Sequence, residues 1–334
     1  MTRNRSARPR RRAALVSILA SAAILAGCAG GGGGAGAAAG GGELPRVATL
    51  TAYPALPSAL EEGFFDEAFG TDASGMQVDF VASGTDGAQS VAAGHSDIAI
   101  GGFDPAVLVG DTGLRLLALS ESSPDTHALL VSPDSDIETL DDLDGKKVGG
   151  YLATPPSFLS LLFDREGKSL DDIDYTQVPN DGGLAALTSG ALDAWYTFDP
   201  FYAQAELQDL ATPIVTGEGW YLNTVVIITS EDYLEEHPDE VDAFLRAYIE
   251  GTEWVNENPE KAADYLVQET GLTPEAAELT MSRRDYGVRP IDGEYREWMD
   301  DLGEVYLEVG SITELPDLDQ VIAPEPLAEA TADD

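Results

Sequence analysis

The stretch Gly94-His95-Ser96-Asp97-Ile98-Ala99, followed by Phe103-Asp104-Pro105, decides the fold because it has a second copy. That copy is Gly190-Ala191-Leu192-Asp193-Ala194-Trp195, followed by Phe198-Asp199-Pro200. Chance could produce the Phe-Asp-Pro match alone. The ordered pair of segments, repeated about 95 residues later, indicates a duplication within the chain.

The residues before each copy follow one plan. Helical patterns after a Gly/Asp turn cover residues 86–93 and 181–189, and strand patterns open at Arg46 and at Lys147. Such strand-helix-strand units build sheets of parallel strands that helices cover on both faces. We therefore predict an α/β fold of two lobes, each a mostly parallel sheet flanked by helices.

Four turns suggest where a ligand would bind. Each combines a capping side chain with Gly or Pro at a helix start: Ser83-Gly84-Thr85, Asp104-Pro105, Thr154-Pro155-Pro156-Ser157 and Asp199-Pro200. Plain helix capping explains each turn taken singly. Ligands of α/β sheets bind beyond the carboxyl ends of the strands, and the matched turns of the two halves therefore favour a shared cleft.

Two strand patterns, His127–Val131 and Thr224–Ile228, are expected to connect the lobes. We predict that residues 44–132 and 222–323 form lobe 1 and that residues 133–221 form lobe 2. Helical patterns from Pro238 onward should close lobe 1. The acidic, proline-bearing residues 324–334 are predicted to be disordered.

The N-terminal residues predict export. Arginines between residues 3 and 12 precede an apolar run from Ala13 to Ala26 that is too short to span a bilayer, so residues 1–27 are predicted to be a signal peptide. Leu25-Ala26-Gly27-Cys28 resembles the lipobox of bacterial lipoproteins, which implies a lipid anchor at Cys28 on the extracytoplasmic face of the cell membrane. An ordinary secretory signal with an incidental cysteine is the alternative. The Gly/Ala-rich residues 28–43 are predicted to be a tether.

Charge excludes several partners. The chain has 18 basic and 60 acidic residues, and without residues 1–27 it keeps 12 basic residues for a net charge of −48. Such a protein repels nucleic acid and anionic lipid. The acidic residues are scattered along the chain, which favours a solvated surface over a metal-binding array. Cys28 is the only cysteine, so no disulfide can form within the chain.

Several segments resemble the substrate-binding proteins of ABC transporters for nitrate, sulfonates and taurine, most closely the aliphatic sulfonate branch. They include residues 80–84, 94–105, 140–148, 187–204 and 283–291. The resemblance implies a type 2 periplasmic binding protein fold without a cofactor. It also implies a monomer that closes on a small solute and delivers it to a membrane permease with a cytoplasmic ATPase. By position, it implies a cleft lined by Thr49, Thr51, Tyr53, Ser83, Gly84, Thr85, Phe103, Asp104, Thr154, Ser157, Trp195, Phe198 and Asp199.

The nature of the solute stays open between several classes. None of the cleft loops contains Arg or Lys, so a sulfonate would be held by helix N-terminal amides and by the hydroxyls of Ser83, Thr85 and Ser157. Carboxylates at Asp104 and Asp199 would favour an amine, as in taurine, or a neutral heterocycle. We expect an aliphatic sulfonate or a taurine-like compound. Nitrate or a pyrimidine or thiamine precursor is the alternative.

An enzyme is the competing functional class, because the family's fold also hosts enzymes. His95, His127 and His237 lie far apart in the sequence, and the cysteine-rich iron-binding segment of the pyrimidine-forming enzymes is absent from it. We therefore predict a binding protein rather than an enzyme, with no metal and no cofactor.

Overall fold

The computed structural model describes residues 44–102, 108–109, 112–152 and 156–332. The predictions for the signal peptide, for the tether with Cys28, and for Phe103, Asp104 and Thr154 lie outside these residues. Within the described ranges, no helix combines the length and the apolar character that crossing a membrane requires.

The first sheet contains strands from both ends of the described chain. They are β1 (Val47–Thr49), β2 (Val78–Phe80), β3 (Ile98–Gly101), β4 (Leu114–Ser122), β10 (Thr224–Ser230) and β11 (Asp285–Arg289), and their order is β11-β4-β10-β3-β1-β2. β1 pairs in parallel with β2 and with β3. β10 lies antiparallel between β3 and β4, and β11 is antiparallel to β4.

The second sheet comes from the middle of the chain. Its strands are β5 (His127–Val131), β6 (Lys147–Gly150), β7 (Asp174–Gln177), β8 (Ala194–Phe198) and β9 (Thr212–Thr216), in the order β7-β6-β8-β5-β9. β6 pairs in parallel with β7 and β8, whereas β5 is antiparallel to β8 and β9.

The two sheets share one arrangement. β2-β1-β3 in the first sheet corresponds to β7-β6-β8 in the second, and an antiparallel strand follows in each case, β10 or β5. The α/β class with two helix-flanked sheets is confirmed. The sheets are mixed rather than mostly parallel, because each is extended by antiparallel strands that lie outside the duplicated segments.

The chain crosses from the first sheet to the second at an earlier residue than we predicted. We placed it near residue 132, but His127–Val131 already pairs with β8 in the second sheet. The chain crosses at residues 123–126, which include the 3₁₀ turn Pro124–Thr126, and it returns before Thr224. The amide of Ser123 donates to the carbonyl of Asn223 at 2.9 Å, so the two crossing segments lie side by side. A strand pattern does not tell which of two sheets the strand will join.

Helices flank both sheets. Those before β9 in the chain are α1 (Ala55–Glu61), α2 (Phe64–Phe69), α3 (Gly84–Ala92), α4 (Ser157–Arg165), α5 (Asn180–Thr188) and α6 (Phe201–Leu207). Those after it are α7 (Glu231–Glu236), α8 (Pro238–Glu257), α9 (Pro259–Thr270), α10 (Pro274–Ser282), α11 (Gly293–Glu308), α12 (Leu318–Val321) and α13 (Glu325–Ala330). Further 3₁₀ turns occur at Leu140–Leu143 and Leu170–Asp172.

The core of the first sheet depends on α8. Its apolar residues at helical spacing, Val241, Phe244, Leu245 and Tyr248, are buried and belong to one cluster with Phe65 of α2. The Phe65 and Phe244 rings lie 5.4 Å apart. Burial of this face gives the helix a fixed position that its sequence propensity alone would not supply.

The C-terminal residues are also part of this core. We predicted residues 324–334 to be disordered, but residues 325–330 form α13, which packs on α8. Leu327 and Ala330 are three residues apart, share a face of the helix and are buried. The acidic composition obscured this short apolar face, which is enough to order the segment once α8 offers a surface.

Candidate functional site

A pocket of about 80 Å³ lies between the two sheets. Its walls include residues at or just beyond the carboxyl ends of β1, β2, β3, β6 and β8, which are Leu50, Ala82, Gly102, Tyr151 and Phe198. The pocket therefore occupies the position at which α/β sheets bind ligands. Both crossing segments also contribute, through Ser123, Thr126 and Asn223.

The N-terminus of α3 faces this pocket from the side of the first sheet. Ser83 caps the helix: its Oγ accepts the amide of Asp86 at 3.2 Å and donates to a carboxylate oxygen of Asp86 at 2.8 Å. The amides of Gly84 and Thr85 belong to the first turn, where a helix offers no acceptor of its own, and they carry the positive end of its dipole. This end of α3 is suited to an anionic or strongly polar group of a ligand.

Gly84 is required by packing at the helix start. A Cβ atom at this position would lie 1.8 Å from the carbonyl oxygen of Gly102, at the end of β3. Only glycine therefore allows the first turn of α3 to approach the neighbouring backbone so closely.

An aromatic wall from the second sheet faces α3. Its rings surround His127 at centroid distances of 5.2 Å for Tyr221, 5.6 Å for Phe198, 6.0 Å for Tyr196 and 6.1 Å for Phe158. Tyr151 continues the wall at 5.2 Å from Phe198. Phe158 is fully buried behind the others, and we name the four rings that line the pocket, Tyr151, Tyr196, Phe198 and Tyr221, the aromatic wall. Such rings can stack on, or pack around, the apolar part of a solute.

Two polar groups within this wall have fixed partners. Oγ of Ser157, at the start of α4, lies 2.9 Å from the hydroxyl oxygen of Tyr221. Nδ1 of His127 lies 3.1 Å from Oγ1 of Thr126. Burial, with a smaller contribution from Arg284, lowers the pKa of His127 to about 3. The imidazole is therefore neutral at neutral pH and presents no positive charge to a ligand.

A buried ion pair forms another part of the lining. Nη1 of Arg284 donates to Oε1 of Glu121 at 2.9 Å, and to the carbonyl of Ala52 at 3.3 Å. The same oxygen of Glu121 accepts the hydroxyl of Ser123 at 2.9 Å. Burial raises the pKa of Glu121, whereas Arg284 acts on it in the opposite direction. Nε of Arg284 is buried without a hydrogen-bond partner among the described residues.

Arg284 changes the expectation that the cleft contains no cation. We based that expectation on the strand-to-helix loops, and Arg284 comes instead from the turn between α10 and β11. Its segment was part of the sequence resemblance, but nothing local in the sequence indicates that it reaches the pocket. Because Arg284 is paired with Glu121, the two charges cancel, and this part of the pocket lining has a net charge close to zero.

The structure brings six of the predicted site residues into the pocket lining: Tyr53, Ser83, Gly84, Thr85, Ser157 and Phe198. Thr49 is fully buried within β1 instead. Thr51 and Trp195 line an adjoining cavity. Trp195 is buried in the core beneath α5, where a Cβ at Gly183 would lie 2.1 Å from its ring.

We predicted that Asp199 lines the cleft, but its side chain does not face the pocket. Its carboxylate is fully buried, accepts the amide of Ala203 at 2.9 Å, and pairs with Nη1 of Arg283 at 3.2 Å. Burial raises the pKa of Asp199, and Arg283 opposes the shift. The residue thus caps α6 and joins it to the end of α10, so it does not compete with an anionic ligand.

The sequence analysis did not predict several residues that line the pocket. They are Glu121, His127, Tyr151, Tyr196, Tyr221, Asn223, Arg284, Tyr295 and Trp298. Most lie on strands or crossing segments, where the strand-to-helix rule gives no signal. Within the described ranges, no group of three or more His, Cys, Asp or Glu side chains could hold a metal ion.

Comparison with known proteins gives consistent similarities. The family model described as NMT1/THI5 like matches residues 55–262. A Bacillus subtilis (strain 168) protein, provisionally named an aliphatic sulfonates-binding protein, is 28% identical over 225 residues, or 66% of this chain and 67% of that protein. The formylaminopyrimidine-binding protein of Halalkalibacterium halodurans is 27% identical over 221 residues, or 63% of this chain and 64% of that protein.

A solved structure shares the fold. The alkanesulfonate-binding protein SsuA from Xanthomonas axonopodis pv. citri, bound to MOPS, matches with a TM-score of 0.74 and 19% identity. The match covers 84% of this chain and 98% of that one.

Proposed function

The chain belongs to the NMT1/THI5-like family, and we propose that it is the extracytoplasmic solute-binding component of an ABC importer. The observation that carries the proposal is the pocket between two duplicated sheets, lined by residues at the carboxyl ends of strands from both. The names of its curated relatives, which are binding proteins, support it. The partners would be a membrane permease and its cytoplasmic ATPase.

Closure of two lobes on the solute is the proposed mechanism. Lobe 1 would consist of the first sheet with its helices, and lobe 2 of the second sheet with α4, α5 and α6. The crossing segments at residues 123–126 and 217–223 would act as the hinge. A solute bound to one lobe gains contacts from the other only in the closed state, so binding shifts the population toward that state. The permease would then recognise the closed monomer.

The proposed solute is a small sulfonate, or a taurine-like compound that also has an amine. Its anionic head would accept hydrogen bonds from the first turn of α3 and from the hydroxyl of Thr85. The aromatic wall would cover its carbon atoms. The carboxylate of Glu121 is in the same pocket but is paired with Arg284, so an amine would be held by the faces of the aromatic rings instead.

A neutral heteroaromatic amine is the second candidate. The aromatic wall offers rings for stacking, and the charges of Glu121 and Arg284 cancel. The name of the Halalkalibacterium halodurans relative points to the same chemistry. Nitrate would use the helix end but would leave the aromatic wall without a function.

Calorimetric titration tests the proposal and separates the candidates. The full chain would be titrated with ethanesulfonate, taurine, nitrate and a formylaminopyrimidine. For a sulfonate, Thr85→Val should weaken binding about tenfold, the effect of losing one hydrogen bond to a charged group. Thr176→Val, on the exposed strand β7, is the matched control. A folded protein that binds none of the four compounds would contradict the proposal.

We also propose that Cys28 carries a lipid anchor, on the basis of Leu25-Ala26-Gly27-Cys28. Expression in a bacterial host with a radiolabelled fatty acid should label the chain and place it in the membrane fraction. Cys28→Ser should abolish the label and release the protein. Equal labelling of both forms would exclude the anchor at this residue.

A further inference from the structure

Trp298 of α11 packs on the hydrophobic cores of both sheets. On the side of the first sheet, it packs on the cluster that contains Met299, and its ring lies 5.7 Å from the ring of Tyr295. On the side of the second sheet, it packs on the cluster that contains Tyr221, whose ring lies edge-on at 6.1 Å. Because α11 also packs on α4, Trp298 lies where the two proposed lobes meet.

Trp298 also separates the pocket from a groove on the outside of the protein. The groove, of about 460 Å³, runs between α4 and α11. Of the described residues, Trp298 alone lines both the pocket and this groove. Asp164 of α4 and Glu304 of α11 are in the groove lining too, and their like charges do not hold the two helices together. Apolar side chains make the contact instead, among them Leu161 of α4 and Trp298.

The indole N–H of Trp298 has no acceptor in this arrangement. Nε1 is buried without a hydrogen-bond partner among the residues that the structure describes. A buried donor that is left unpaired costs free energy, which is recovered when water reaches the group. The two parts of the side chain therefore act in opposite directions. The apolar ring favours contact between the lobes, and the N–H favours their separation.

We propose that Trp298 is a positioning residue for solute binding, which sets the balance between the open and the closed state and thereby the affinity. This inference rests on the proposed closure of two lobes. Only the closed state makes all contacts with a solute, so the measured affinity is proportional to the population of that state. A change at Trp298 should therefore multiply the dissociation constants of different solutes by one factor.

Calorimetric titration of the full chain with two variants tests the inference. The titrants are those of the four compounds named above that the wild type binds. Trp298→Ala removes the ring and should weaken the binding of each compound by about tenfold, the effect of losing about a third of the apolar area that a tryptophan buries. Benzothienylalanine in place of Trp298 keeps the shape of the ring and removes the N–H. This variant should bind each compound about fivefold more tightly than the wild type does.

Trp254 provides the matched control. It lies on α8, packs on the core of the first sheet, and has Nζ of Lys261 at 5.2 Å from its ring centroid. These contacts lie within lobe 1, so neither Trp254→Ala nor benzothienylalanine at Trp254 should change the affinity. Circular dichroism checks that each variant is folded. The isosteric variant keeps the test valid if Trp298→Ala does not fold.

The outcomes separate this inference from the proposed function. An isosteric variant that binds no more tightly than the wild type overturns the inference alone, as does a folded Trp298→Ala variant with wild-type affinity. Factors that differ between compounds also overturn it, because they would mean that Trp298 recognises the solute directly. A wild-type chain that binds none of the compounds contradicts the proposed function, and the inference with it.

Discussion

Nη1 of Arg284 lies 2.9 Å from Oε1 of Glu121, and the two side chains keep only 4% and 3% of their surface exposed. Neither charge could remain buried without the other. Arg284→Met should therefore lower the free energy of unfolding by about 3–5 kcal/mol, the range for removing one partner of a buried pair. Urea denaturation monitored by circular dichroism would measure the change.

The control for this prediction is the exposed pair of Arg289 with Asp285. Arg289→Met should leave the unfolding free energy nearly unchanged, because exposed pairs contribute little. The double variant Arg284→Met with Glu121→Leu should regain much of the loss, since it leaves no unpaired charge. Equal stability of Arg284→Met and Arg289→Met would show that the buried pair is not required for folding.

His127 should make the protein sensitive to acid. Burial lowers its pKa from 6.5 to about 3, so between these values the unfolded state binds a proton that the folded state does not. The free energy of unfolding should therefore fall as the pH falls from 6.5 toward 3, by up to about 1.4 kcal/mol per pH unit. In His127→Phe the unfolding free energy should change less with pH, by up to about 1.4 kcal/mol per pH unit, which is the effect of one proton. Urea denaturation at several pH values between 3 and 6.5 would measure the difference.

The comparison between wild type and variant isolates the histidine. Burial raises the pKa values of Glu121 and Asp199, so these two carboxyl groups make the folded state more stable as the pH falls. Their effect is opposite to that of His127 and is the same in the wild type and in the His127→Phe variant. His95→Phe, at an exposed turn, should keep the wild-type slope. A His127→Phe variant with the full wild-type slope would mean that the buried imidazole is not the source of the acid sensitivity.

Much of the fold follows from local sequence signals. The duplicated segments predict the order of strand and helix in each half, and β2-β1-β3 and β7-β6-β8 have the same arrangement. The capping serine and glycine at residues 83–84 likewise predict the start of α3, because their chemistry acts within one turn.

Only part of the exchange of β5 and β10 was predicted. We placed Thr224–Ile228 in lobe 1, and β10 lies in the first sheet. We also placed His127–Val131 in lobe 1, whereas β5 lies in the second sheet. Each strand completes the sheet of the other half, and its buried apolar run fits the core of either sheet. The choice depends on long-range pairing, which a local pattern does not encode.

The sequence also does not show which side chains of β8 point toward the cleft. Trp195 and Tyr196 are adjacent, so they point to opposite faces of the sheet. The alternation is visible in the sequence, but the sequence does not tell which face borders the cleft. We chose Trp195, and the structure places Tyr196 in the pocket instead. Arg284 posed a similar problem, because its partner Glu121 lies on β4, far away in the chain.

Gly84 and Gly87 offer a matched pair of substitutions within α3. A Cβ at Gly84 would lie 1.8 Å from the carbonyl oxygen of Gly102, whereas one at Gly87 would lie 3.4 Å from Cβ of Ala99. Gly84→Ala should therefore displace the helix start, lower the melting temperature and weaken solute binding. Gly87→Ala should be tolerated and could gain up to about 1 kcal/mol from helix propensity. Calorimetric melting and titration of both variants would check the prediction, which equal melting temperatures would contradict.

Asp199→Asn should change stability and leave solute binding unaltered. The asparagine Oδ1 can still accept the amide of Ala203, but Arg283 loses its buried countercharge and keeps only Glu206. Loss of one charge-assisted hydrogen bond should lower the unfolding free energy by about 2 kcal/mol. Asp264→Asn, at an exposed position of α9, is the control.

Because the carboxylate of Asp199 is absent from the pocket lining, the affinity of the Asp199→Asn variant for an anionic solute should stay the same in titrations. Tighter binding by Asp199→Asn would instead mean that this carboxylate acts on the ligand, and that the cleft closes in a different way from the one proposed.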